Sequence, residues 1–455
     1  MSDKSITEQS TRFDPATERA RLEALGALAL DEAARLGASS AELAASLEEG
    51  LSVKARLGEV DTVEHNRDKS MGITVYFGHR QASASSSDFT EDAVRETVAA
   101  ACGIAKHTSE DPCAGLADAD LMATDIPDLD LYHPWALDAD EAIELAVEME
   151  TAARQHDLRI SNTGGANVSR HQSVSLYCNS HGFVGVTAGT RHALSCSVIA
   201  GEGLGMQRDH AWSMSRLPFL LDAPVDVGRE AATRAIARLG AKPVRTGRFP
   251  VLFSAEMARG LLGSFIASIS GSALYRRSTF MLDKLGEQVF AGHIRISEDP
   301  LLPQALGSAA FDSDGLARKP RDLVDQGVLQ GYVLSNYNAC KLNMAPTGNA
   351  GGVRNLILHP GRFSEQELLA ELGTGLYVTE MMGQGVKLTN GDYSRGAGGF
   401  WVENGKIQHA VQEVTVAGNL ADMFLNITAV GETMDMRGNI RTPAFLVREM
   451  TVAGE

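Results

Sequence analysis

Apolar positions change their period several times along this chain. From 15 to 49 they recur at helical spacing (Leu22, Leu25, Leu28, Leu30, Ala34, Leu36), which predicts an amphipathic helix. Val53, Ala55 and Leu57, then Ile73, Val75 and Phe77, alternate instead, which predicts two half-buried antiparallel strands. Asn66-Arg67-Asp68 reads as the turn between them. Helical spacing returns over 90–106, opened by the cap-like Thr90, and over 138–156, after an Asp/Pro-rich connector at 109–137. Strands at 173–177 and 183–187 flank Asn179-Ser180-His181-Gly182, a hairpin signature, and a further strand is expected at 192–200. A helix at 226–239 is stopped by Gly240 and Pro243.

The Pro/Gly region ending at Gly247 divides the chain. Beyond it, a strand at 249–253 runs into a helix at 255–269, and a short helix is expected at 364–372. Short strands at 328–334, 353–358, 398–402 and 407–416 are separated by Gly-rich turns. The expectation is an α+β chain with a disordered leader (1–15), an N-terminal helix and antiparallel-sheet domain (16–243), and a C-terminal β-rich domain with helices (244–455). A length of 455 residues agrees with two domains.

Composition narrows the functional classes. Forty-one basic and 58 acidic side chains give a formal charge of −17, which repels phosphate backbones, and no concentrated basic patch offsets it. Nucleic acid is therefore not an expected partner. The most apolar stretch, 260–270, is too short to span a bilayer, and the N-terminus lacks an apolar signal core. Cysteines at 102, 113, 178, 196 and 340 form no regular framework and read as reduced thiols in a cytoplasmic protein.

Candidate chemistry is sparse. The twelve histidines form no HxxxH or HExxH. Cys178-x-x-His181, with His171 before it, is half of a metal motif, and a strand end followed by a hairpin explains it as well. Asp312-Ser313-Asp314-Gly315 opens like a calcium loop, but Ala317 and Leu323 stand where Gly and a bidentate Glu are required, so a tight turn is expected. At the 253–255 corner an apolar strand meets a helix with a stripe of Met257, Leu261, Phe265 and Ile269. Glu256 and Arg259, three apart, are expected to pair on its exposed face.

That corner and the C-terminal third carry a family resemblance. Asn390-Gly391-Asp392-Tyr393-Ser394-Arg395-Gly396-Ala397-Gly398-Gly399-Phe400-Trp401, Val416-Ala417-Gly418-Asn419-Leu420 and Arg437-Gly438-Asn439-Ile440-Arg441-Thr442 resemble the TldD/PmbA family, in its PmbA (TldE) branch. In the TldD branch the corner reads HExxxH, and a cysteine near the C-terminus completes a zinc site. The resemblance aligns Ser254 and Arg259 with the two histidines, Ala255 with the glutamate, and Arg437 with about the third ligand. It implies no catalytic residue and no metal in this chain, with zinc held by a TldD-type partner.

The implied assembly is a cytoplasmic heterodimeric metalloprotease that degrades unfolded peptides and matures peptide precursors; a homodimer is the other assembly expected. This chain would supply half of the peptide-binding chamber, with Gly348, Asn349, Gly351, Gly383 and Gly385 as candidates for close approach to peptide. Arg259 and Arg437 would converge and need an anionic partner, with Glu256, a peptide carboxylate or a phosphate as candidates. Two alternatives compete: a self-sufficient metallopeptidase using His171, Cys178 and His181, and a non-proteolytic protein-binding regulator.

Overall fold

The computed structural model of the chain describes residues 13–454. They form two compact units that interleave along the sequence: one holds residues up to Gly50, His65–Leu116 and His171–Gly189, the other Leu51–Glu64, Ala117–Arg170 and everything from Thr190. The expected domains 16–243 and 244–455 are continuous stretches, and the described part of the second lies wholly inside the larger unit.

Helix α1 (Pro15–Arg35) begins at Asp14, whose carboxylate accepts the Thr17 amide at 3.0 Å. Of the expected leader, residues 1–12 lie outside the described residues, and Phe13 is buried. The helix ends at Arg35 rather than near 49. Gly37 adopts φ +88°, and β1 (Ser40–Arg56) buries Ala41, Leu43, Ala45 and Leu47 at alternate positions, a period of two that overrides the helical composition.

Strand β1 turns at Leu57-Gly58 into β2 (Glu59–Phe77). Both turn residues have positive φ, 57° and 81°, as a two-residue I′ hairpin requires. The fully buried Glu150 accepts both turn amides at 2.7 Å. The turn expected at Asn66-Arg67-Asp68 is thus inside β2. Strand β3 (Arg80–Ser86) pairs antiparallel with the end of β2, and α2 (Glu91–Ala105) is capped by Thr90. In the smaller unit α1 and α2 bury Leu22, Leu25, Val94 and Val98.

Helix α3 (Ala139–Gln155) opens with the capping box Asp138/Glu141. Strands β4 (Ile160–Asn179) and β5 (Val184–Ala200) form the expected hairpin, and the strands expected at 183–187 and 192–200 are one. After β6 (Gln207–Ser215) comes α4 (Pro224–Ala237). The first sheet runs β3-β2-β1-β4-β5-β6. In the larger unit α3 and α4 cover residues of β1, β4 and β5 through a core including Val53, Ala146, Met149, Val198 and Ala231.

The C-terminal stretch continues with β7 (Gly247–Phe253), α5 (Ala255–Ser268), α6 (Gly271–Tyr275), β8 (Ile296–Glu298), β9 (Arg321–Asp325), β10 (Val328–Leu329) and α7 (Asn336–Leu342). Then follow β11 (Leu356–Leu358), α8 (Glu365–Leu372), β12 (Gly375–Met382), β13 (Val386–Lys387), β14 (Asp392–Glu403) and β15 (Lys406–Asn419). The last elements are α9 (Leu420–Leu425), β16 (Ile427–Asp435) and β17 (Ile440–Ala453). These strands build an 11-stranded sheet, nine of them along β10-β9-β8-β11-β17-β15-β14-β12-β7, with β13 paired to β14 and β16 to β17.

Strands β8, β9, β12, β13, β16 and β17 have no counterpart among the expected ones. Both faces of the sheet are covered: Phe445 and Val447 of β17 join one apolar cluster, while Leu446 between them joins another. Burial on both sides erases the alternation that marks a half-buried strand. The fold is α+β, as the sequence pattern predicts.

Cys102, Cys178 and Cys196 are free and buried, whereas Cys113 and Cys340 are not free, so the expectation of reduced thiols does not extend to those two. Among the described residues no helix is long and apolar enough to cross a membrane.

Candidate functional site at the strand–helix corner

Strand β7 lies between β12, parallel, and β17, antiparallel, and Val251, Leu252 and Phe253 are fully buried. The corner that follows is therefore fixed by hydrogen bonds on both sides. Ser254 leaves the strand with its amide on the Val378 carbonyl (3.0 Å), and its hydroxyl accepts the Met257 amide at 3.3 Å as the cap of α5. Helix α5 buries Ala258, Leu261, Leu262 and Phe265. Met257, expected in the core stripe, only partly packs on that core and lines a cavity instead.

The cavity has a volume of about 1360 Å³ and lies wholly within the larger unit. Ser254, Ala255, Glu256 and Arg437 line it. Ala255 brings no functional group, and the cap role occupies the Ser254 oxygen. The two arginines do converge, and the anion between them is Asp435. Its side chain is only 6 % exposed. Arg437 grips both carboxylate oxygens, Nε at 2.9 Å and Nη2 at 3.0 Å, and the Arg437 amide adds a third hydrogen bond at 3.0 Å. Arg259 makes an ion pair with the same carboxylate through Nη2.

Trp212 of β6 underlies both cations, with guanidinium carbons 5.4 Å (Arg259) and 4.4 Å (Arg437) from its ring centroid. Its carbonyl accepts Arg437 Nη1 at 3.0 Å. Burial pushes the Asp435 carboxyl up, but the Arg437 hydrogen bonds and the Arg259 charge more than offset this, leaving it below its ordinary value. Burial lowers Arg259, and the like charge of Arg437 adds to that against the pull of Asp435. Among the described residues, the buried Arg259 Nε has no hydrogen-bond partner.

The pairing expected between Glu256 and Arg259 is replaced. Glu256 lies 3.2 Å from Arg234 of α4, 3.9 Å from His210 and 4.0 Å from Arg437. Arg234 also holds Glu230 at 2.7 Å, and the buried Arg238 joins Asp209 (3.4 Å) to Glu380. The cavity wall is thus an alternating set of charges drawn from α4, α5, β6, β12 and the end of β16. Asp435, Trp212, Arg234 and Arg238 escaped sequence reasoning. For Asp435 a signal existed: in Asp435-Met436-Arg437 the spacing of two is that of a carboxylate folding back on its neighbour.

None of Gly348, Asn349, Gly351, Gly383 and Gly385 is among the residues lining the cavity. Asn349 is buried, donating to Glu298 at 2.9 Å and accepting from Arg321 at 2.7 Å. Gly348 has φ +68°, and a β-carbon there would come within 2.8 Å of the Ala317 carbonyl oxygen. At Gly351 it would meet the Ser313 hydroxyl, and at Gly385 the Ser394 carbonyl. Gly383 has φ +71° with open space around it.

His171, Cys178 and His181 do not come together as ligands. His171 faces Glu48 at 3.1 Å, His181 is exposed, and burial pushes the Cys178 thiol up to about 12, far from the thiolate a metal takes. Among the described residues no group of three or more His, Cys, Asp or Glu side chains is arranged to hold a metal ion.

Comparison with known proteins gives a consistent assignment. Family models described as PmbA/TldA metallopeptidase domain 1, central domain and C-terminal domain match residues 41–105, 132–239 and 246–454. The metalloprotease PmbA of Escherichia coli O157:H7 is 47% identical over 415 residues, covering 91% of this chain and 92% of its own length. A candidate modulator of DNA gyrase from Bacteroides thetaiotaomicron superposes with a TM-score of 0.90 at 26% identity, covering 95% of this chain and 99% of its own. TldE from Thermococcus kodakarensis shares the fold, with a TM-score of 0.79 at 19% identity over 95% of this chain and all of its own. The chain belongs to the PmbA/TldD metallopeptidase family, in its PmbA (TldE) branch.

Proposed function

We propose that this chain is the non-catalytic subunit of a two-component cytoplasmic metalloprotease. A TldD-type partner holds the zinc, and this chain supplies part of the wall of a chamber that takes unfolded peptides for degradation or peptide precursors for maturation. The observation that carries the reading is the Arg259–Asp435–Arg437 cluster at the corner. Zinc takes three or four lone-pair donors, and a guanidinium has none and repels the cation. The one carboxylate between the arginines is already matched by both of them. The residues present therefore do not suit a divalent metal, and they support a fixed, ion-paired wall. Without its partner the chain would form a homodimer.

Metal content by plasma mass spectrometry, on the purified chain alone and with a TldD-type partner, tests this directly. The expected result is no zinc alone, one zinc per heterodimer, and cleavage of a disordered peptide only by the pair. Stoichiometric zinc in the isolated chain, or peptide cleavage by it, overturns the reading.

A further inference from the structure

The aliphatic lining of the 1360 Å³ cavity has an unusual composition. Met257, Met381, Met434 and Met436 all line it; among the lining residues there is no leucine or valine, and Ile407 is the one branched aliphatic. These four of the chain's 15 methionines come from α5, β12 and the end of β16, so three separate segments each turn a thioether toward one space. Met436 is half exposed, and Met257 and Met381 pack on the core with only part of their length. Tyr377 and Phe400, cross-strand neighbours on β12 and β14, add aromatic surface. Unbranched, polarizable methionine side chains repack around apolar groups of differing shape, where leucine or valine would fix one shape.

Charge selects further. Seven carboxylate side chains and five from lysine or arginine line the cavity. Asp435 is matched by Arg259 and Arg437, and the negative excess lies where Glu230 and Glu256 share Arg234 and Asp209 and Glu380 share Arg238. The volume exceeds the roughly 300–1000 Å³ of ordinary small-molecule sites, which favours a polymer segment. We propose that the four methionines form an adaptable subsite for one apolar side chain of an extended peptide, and that the surrounding carboxylates favour a lysine or arginine beside it. This rests on the reading of the chain as a peptide-chamber wall, and it assigns the side-chain class that the wall prefers.

The test is fluorescence anisotropy with three labelled, disordered peptides, measured on the full chain alone and with a TldD-type partner. One peptide carries adjacent leucine and arginine, the second replaces the arginine by glutamate, and the third replaces the leucine by serine. The leucine–arginine peptide is expected to bind about tenfold more tightly than the serine peptide, since burying one apolar side chain is worth at least that factor. It is expected to bind about threefold to fivefold more tightly than the glutamate peptide, whose charge the cavity repels. Met434→Gln with Met436→Gln is expected to remove most of the preference for leucine. Leucine at the same two positions is expected to keep the leucine peptide bound while weakening peptides carrying phenylalanine or isoleucine. Equal binding of all three peptides, or glutamine variants that behave as wild type, overturns the subsite and leaves the chamber reading standing. No peptide binding with or without the partner overturns the chamber reading itself, and the subsite with it.

Discussion

Glu298 and Asp435 are both buried carboxylates held by arginine in the same unit, yet their surroundings differ in kind. Glu298, 2 % exposed on β8, accepts from Arg321 Nε at 2.8 Å, twice from Asn349, and from the Arg354 amide. Nearby, Asp312 accepts three backbone amides at 2.9 Å, and Arg318 donates to the carbonyls of Phe311, Ala350 and Gly352. Here each anion meets several fixed donors, and Arg318 and Arg321 also donate to backbone carbonyls that hold loops in place. At Asp435 two guanidinium groups share one carboxylate beside an open cavity, and one donor of Arg259 is left over. Among the described residues, each cluster leaves a buried arginine Nε unpartnered, Arg354 beside Glu298 and Arg259 beside Asp435. The difference is that the donors to Glu298 are mostly amides fixed in the fold, whereas Asp435 balances two cations beside a cavity.

The largest expected effect breaks the Glu298 side. Glu298→Ala leaves Arg321 and Asn349 without their buried acceptor and should lower unfolding free energy by about 3–5 kcal/mol in a urea titration. A loss below about 1 kcal/mol would show that Glu298 is dispensable and would remove the contrast.

Asp435→Asn comes next. It leaves Arg259 and Arg437 without their shared anion, but their side chains are 19 % and 28 % exposed, so water moderates the loss to about 1–3 kcal/mol. Adding Arg259→Met to that variant should recover part of the loss, because one of the two facing cations is then gone. Purely additive effects in the double-mutant cycle would mean that the three side chains do not act as a unit.

A smaller pair of substitutions separates clash from strain. Gly348→Ala, near the Glu298 network, meets both a positive φ and the Ala317 carbonyl, and is expected to cost about 2–3 kcal/mol. Gly438→Ala, beside Arg437, has φ +128° with no atom within 4 Å of the new β-carbon, and should cost about 1 kcal/mol from backbone strain alone. Equal melting temperatures for the two variants would contradict the difference in packing.

The same contrast decides what could be read from sequence. Local signals were legible because neighbours in sequence make them: the Thr90 cap, the helix that starts after Asp138 and the Gly182 hairpin all stand where expected. The Leu57-Gly58 turn was not, since the residue that secures it, Glu150, is far away in the chain and Leu57 is an uncommon residue for positive φ. Strand β17 was illegible because both its faces are buried. At the site, Arg259 and Arg437 were legible only through the family pattern. Trp212 and Arg234, on β6 and α4, reach the corner by tertiary contacts with no signature in the sequence. Conversely, the Gly-rich 347–352 segment looked like a place for ligand, and it is a loop closed on Glu298, Asp312 and Arg318.

The smallest expected effect is also the one that separates the clusters by sign. Asp435 has a folded-state pKa below its ordinary 3.8, so its contribution to stability is present above that pH and is lost as pH falls through the depressed value. Asp312 is shifted the other way: burial outweighs its three amide hydrogen bonds and raises it above 3.8. Its folded state therefore favours the protonated form, a contribution that is full below 3.8 and is lost as pH rises through the raised value. Urea titrations between pH 3 and pH 6 should show this as opposite changes in slope. Relative to the parent chain, Asp435→Asn should flatten the loss of stability on acidification, while Asp312→Asn should steepen it. The asparagine at 435 loses its ion pairs at every pH, so the comparison rests on slope and not on absolute stability. Slopes that change in the same direction would mean that the excess of guanidinium around Asp435 does not outweigh its burial, and the two clusters would then be electrostatically alike.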